Sequence, residues 1–119
     1  MKFYYNGQLV RTSKNHEYTH AVIDMSNGNL EGCRANKETA ESIISSEISR
    51  VSKSIQNHKN ELKAIEQGKK MYRVKEGRRN YWMPITRTAE QVKKNIEWCE
   101  NYIKKVEANW KVVELEARA

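Results

Sequence analysis

One proline, two cysteines and no long apolar run mark this chain of 119 residues, and each scarcity removes a class of protein. The lone Pro84 leaves long segments with no helix breaker of that kind. Cys33 and Cys99 stand 66 positions apart with no CxxC spacing, so neither a disulfide framework nor a zinc site is offered. Both are expected to be reduced packing residues. No stretch of about 18 apolar residues exists, which excludes a membrane-spanning helix. The opening MKFYYNGQLV lacks a basic segment followed by an apolar one, so no secretory signal is read and the chain is expected in the cytosol. GxGxxG, the P-loop and a nucleophile spaced from a base are all missing. A protein without catalytic chemistry or cofactor is therefore expected.

Acid is scarce in one place only. Residues 69–87, KKMYRVKEGRRNYWMPITR, hold seven Lys or Arg and a single Glu, whereas residues 37–68 and 88–119 are each neutral. That one segment supplies +6 of the formal charge of +7. Tyr72, Tyr81 and Trp82 are threaded through it, and cation beside flat ring is the chemistry that meets phosphate beside base.

The length suits one domain, 1–119. Residues 1–36 read as a small antiparallel sheet, with KFYY and QLVRT flanking the hairpin dipeptide Asn6-Gly7, and EYTHAVIDM and LEGCRA following. Asn36 caps a long helix over 37–68, with the seam Ile44, Ile48, Val51, Ile55, His58, Leu62 and Ile65. MYRVK and RNYWMPI surround Glu76-Gly77 as a basic β-hairpin within 69–87. A second long helix is expected over 88–119, opened by Thr88 and Gln91 in capping-box spacing. Its seam runs Val92, Ile96, Cys99, Ile103, Val106, Trp110, Val113 and Ala117. The expected fold is α+β: a small N-terminal sheet, then two long antiparallel helices, each roughly 45 Å, joined by the hairpin. Ile43, Trp98, Tyr102 and Leu115 lie beside the seams, and this extra apolar breadth points to dimerisation.

His16-Glu17-Tyr18-Thr19-His20 matches HExxH, which binds zinc when a helix puts both imidazoles on one face. Here the histidines fall in or just before a strand. Four strand residues span about 13 Å, so the two rings cannot share a metal at about 2 Å. His58 falls on the first helical seam as a polar register residue. The basic hairpin is the better site. Arg78, Arg79 and Asn80 precede Trp82, and Arg87 follows; guanidinium groups fork onto phosphate oxygens, an indole covers a base, and an asparagine reads a base edge or ribose hydroxyl. A compact cluster favours a small nucleotide, while nucleic acid on the same hairpin and direct inhibition of another protein stay open as alternatives.

The layout of KFYYNGQLVRTS, HEYTHAVID, the helix from Asn36, the YRVKEGRRNYW hairpin and the closing helix resembles the first type of phage anti-Thoeris proteins across almost the entire chain. Those proteins act as sponges for signalling nucleotides. The resemblance implies an oligomer built from dimers, in the host cytoplasm, that binds isomers of cyclic ADP-ribose without cleaving them and starves a bacterial immune effector. Some relatives are thought to hold cyclic oligonucleotides at a separate site. Carried over residue by residue, the base-stacking aromatic corresponds to Trp82 and the polar helix residue to Asn95. The arginines lie among Arg34, Arg73, Arg79, Arg87 and Arg118.

Overall fold

The computed structural model describes all residues, Met1–Ala119, as an α+β chain that divides into two compact units. The first unit comprises Met1–Glu47 and Lys105–Ala119, the second Ile48–Lys104. In chain order the elements are β1 (Lys2–Tyr5), β2 (Gln8–Thr12), β3 (His20–Asp24), β4 (Leu30–Arg34), α1 (Lys37–Glu66), β5 (Met71–Glu76), β6 (Arg79–Pro84), α2 (Ala89–Asn109), β7 (Trp110–Glu114) and β8 (Glu116–Arg118). Neither helix is long and apolar enough to cross a membrane.

The expectation of one N-terminal sheet is corrected. The first four strands divide between two three-stranded sheets, ordered β2-β1-β8 and β4-β3-β7, and the C-terminal segment completes each. Lys2 pairs with Arg118 and Asp24 with Trp110. The second helix is corrected with it: α2 ends at Asn109 and is 21 residues long. Trp110 and Val113 are buried, but on a strand, and Ala117 is exposed on β8. Spacings of 3 and 4 ran on past the helix end, while the β-branched pair Val112-Val113 suits a pleated surface and β3 offers an edge to pair with.

Within the first unit, Ala21, Val22 and Ile23 are buried consecutively, so β3 is covered on both faces. Ala21, Ile23, Cys33 and Val113 form a cluster with Tyr5, Val10, Tyr18, Leu30 and Leu115 around it. On the other face, Val22 pairs with Gly32, where a Cβ would come within 2.8 Å of Ile43 Cδ1. Gly32 thus leaves room for the end of the Ile43 side chain from α1. Ile43 and Leu115, two of the residues read as spare apolar breadth, are used inside this unit.

The local signals hold. Asn6 and Gly7 both take positive φ between the paired Tyr5 and Gln8. The Asn36 Oδ1 accepts from Thr39 N–H at 2.9 Å, and Thr88 and Gln91 exchange reciprocal bonds of 2.9 and 3.3 Å. Cys33 and Cys99 are free and buried, and burial pushes both thiols up, away from the reactive thiolate. His20 begins β3 and His16 precedes it outside any helix, with its ring stacked on Tyr18. The helical geometry that HExxH chemistry requires is not formed.

Candidate functional site

The basic segment folds as the hairpin β5–β6. Glu76 pairs with Arg79, which leaves Gly77 and Arg78 as the two-residue loop. Gly77 adopts φ of 60°, the conformation that the first loop position of a type II′ turn requires and that a side chain would oppose.

This register sorts the side chains into two sets, because successive strand residues point to opposite faces. Tyr72 and Val74 of β5 turn inward, packing with Ala64, Tyr81 and Ile85. Arg73 and Lys75 therefore share the outer face with their cross-strand partners Trp82 and Asn80. Trp82 is 56% exposed, and the Arg73 guanidinium carbon lies 5.4 Å from its ring centroid. A cation over an indole steadies both groups, and Trp82 still stays more than half exposed.

Helix α1 fastens the hairpin by its backbone. Lys75 N–H donates to Asn57 Oδ1 and Asn57 Nδ2 donates to Lys75 C=O, both at 3.0 Å; Asn60 Nδ2 donates to Arg73 C=O at 3.5 Å. A cleft of about 250 Å³ lies along this seam, with Asn60, Lys63, Gln67, Lys69, Arg73 and Trp82 among its lining residues and no acid. The only acid in the basic segment, Glu76, is engaged by the Tyr81 hydroxyl at 2.8 Å. That hydrogen bond pushes the Tyr81 phenol above its ordinary value.

Of the residues singled out from sequence, the hairpin brings Trp82 and Arg73 together. Arg79 belongs to the opposite face, its guanidinium carbon 5.7 Å from the Tyr81 ring centroid. Arg87 is committed elsewhere: Nη2 and Nε grip Glu61 Oε1 and Oε2 at 2.6 and 3.1 Å, and Glu61 is 1% exposed. The bond to Glu61 holds the Arg87 guanidinium above its usual range, and the Tyr72 hydroxyl contributes in the same direction. His58 Nδ1 stands 3.6 Å from Glu61 Oε1. Asn95 is half-buried on α2. Arg34 and Arg118 belong to the first unit, where Arg34 donates to Cys33 C=O at 2.7 Å and Arg118 pairs with Glu116 and stacks over Tyr4. Sequence reasoning counted Lys69 within the basic segment but missed Lys63, Asn57 and Asn60, although Asn57, Asn60, Lys63 and Gln67 recur on α1 at spacings of 3 and 4 with no acid among them.

No family model matches this chain, and no curated protein or solved structure matches it either.

Proposed function

We propose that the chain binds a phosphorylated nucleotide without altering it, and so sequesters a signalling nucleotide of the cyclic ADP-ribose type in the cytoplasm of an infected host, blocking a bacterial anti-phage system. One observation carries this: Trp82, 56% exposed and braced by Arg73, beside a 250 Å³ cleft lined by Lys63 and Lys69 with no acid. The exposed indole stacks a base, and the cations neutralise a diphosphate. The resemblance of the chain's layout to phage anti-Thoeris sponges supports the same conclusion. Arg73 replaces Arg79 and Arg87 as the arginine that meets ligand. Self-association, part of the same proposal, is supported by Trp98, which is 66% exposed and stacked on Tyr102 with centroids 5.5 Å apart.

Calorimetry with cyclic ADP-ribose isomers tests the proposal. Trp82→Ala should weaken binding roughly ten- to a hundredfold, the loss expected for one stacked base. An unchanged affinity would exclude Trp82 as the platform. Single-stranded nucleic acid is the second candidate ligand, favoured by exposed Lys70, Arg78 and Arg79 lying outside the cleft. Its affinity should collapse between about 50 and 200 mM salt.

A further inference from the structure

A second cleft opens on the same α1–β5 seam, nearer the tip of the hairpin. Its volume is about 410 Å³, and it is lined by Lys53, Gln56, Asn57, Asn60, Lys75 and Gly77. Asn60 lines both clefts, so the two adjoin at that residue. Lys53 comes from α1 and Lys75 from β5, and neither side chain has an acidic partner. Two cations lining one cleft give an anion seated there positive charge from both walls. The polar groups around them are arranged rather than loose. Gln56 Nε2 donates to Asn60 Oδ1 at 3.2 Å, which leaves the Gln56 carbonyl and a second N–H for a ligand. The Asn57 amide is spent on the Lys75 main chain, which holds the β5 wall in place.

Reach decides what such a cleft can hold. Lys53 and Lys63 are ten residues apart on α1, about 15 Å along the axis. The two phosphates of a diphosphate are directly linked, so one compact diphosphate at Lys63, Lys69 and Arg73 leaves Lys53 unneutralised, with Lys75, two residues from Arg73 on β5, standing between the two positions.

We propose that the Lys53–Lys75 cleft is a second phosphate subsite, so that the adjoining clefts accept an elongated ligand: a polyphosphate chain, or a nucleotide carrying a phosphate remote from its stacked base. The ligand's length rests on the proposed role of Trp82, whereas the subsite itself stands on Lys53 and Lys75.

Calorimetry with inorganic tripolyphosphate, and separately with ADP, tests it. Tripolyphosphate should bind the wild-type protein and lose about tenfold or more in Lys53→Gln/Lys75→Gln. Lys93→Gln/Lys94→Gln removes the same charge from exposed positions of α2 and should leave binding nearly unchanged. Absence of tripolyphosphate binding to wild type, or equal losses in the two double-lysine variants, overturns the subsite. ADP isolates the other premise: if Trp82→Ala leaves ADP binding unchanged, stacking by Trp82 fails while the tripolyphosphate result stands on its own.

Discussion

Arg87→Ala separates a structural arginine from a ligand-binding one. Glu61 is 1% exposed and receives two hydrogen bonds from Arg87, at 2.6 and 3.1 Å. Truncating Arg87 leaves a buried carboxylate with His58 at 3.6 Å as its remaining neighbour. Breaking a buried pair from one side costs about 3–5 kcal/mol. Because the Arg87 side chain is 35% exposed, water reaches part of the pair and lowers the expectation to about 2–4 kcal/mol. For a chain of this size, with roughly 4 °C of melting temperature per kcal/mol, that is a fall of about 8–16 °C. Replacing both partners by apolar residues of similar length, Glu61→Leu with Arg87→Met, removes the stranded charge and should recover most of the loss. Urea and thermal unfolding of the parent, the single variant and the double variant read this directly. A parent-like melting temperature in Arg87→Ala, combined with nucleotide affinity weakened tenfold or more, would refute the structural role and return Arg87 to the ligand.

Three further outcomes are expected. Asp24 accepts from the Ser26 hydroxyl at 2.6 Å and its N–H at 2.9 Å, and the hydroxyl bond holds the Asp24 carboxyl below its ordinary value. A depressed folded pKa stabilises above the unfolded value, near 4, and that stability is lost as pH falls through the folded value. Ser26→Ala should therefore be less stable than the parent at about pH 6 and converge with it near pH 2; an equal gap at both, measured by urea unfolding, contradicts the linkage. Gly32→Ala puts a Cβ within 2.8 Å of Ile43 Cδ1, the end of a half-buried side chain that can turn aside, and should cost about 1 kcal/mol or less. Adding Ile43→Val should relieve it, and failure to do so shows the clash lies elsewhere. In sedimentation at micromolar concentration the chain should run as a dimer or larger and Trp98→Ala should shift it towards monomer; a clean 14.0 kDa species in the parent excludes self-association.

Turn and cap chemistry was readable because it is local: Asn6-Gly7, Asn36 with Thr39, and Thr88 with Gln91 each need only a few neighbouring residues. The sheets were not, because their pairings join opposite ends of the chain, as Lys2 with Arg118 and Asp24 with Trp110. The run Val106, Trp110, Val113 is apolar at helical spacing, yet Trp110 and Val113 also fit a strand once β3 is there to pair with. Charge counting located the hairpin but not its facing. With Gly77 and Arg78 as the loop, strict alternation separates Arg73 and Trp82 from Arg79 and Tyr81, so a register assigned from the turn would have chosen between the arginines. The Arg87–Glu61 pair had no such signal, since the partners are 26 residues apart and Glu61 lies off the apolar seam.

The asparagines of α1 explain how a short hairpin can present a defined site. An isolated two-stranded hairpin is marginal in water, and its outer edge invites pairing with another chain. Asn57 meets both problems, because its amide offers a donor and an acceptor together and satisfies the Lys75 N–H and C=O as a neighbouring strand would. Aspartate lacks the donor, lysine the acceptor, and an apolar residue both. Arg73, two residues along the same strand, has its own carbonyl facing Asn60, so the cation beside Trp82 inherits its position from α1. The ordering cost of these side chains is thereby met in folding, which the proposed nucleotide site requires if a few cations and one indole are to compete with a receptor.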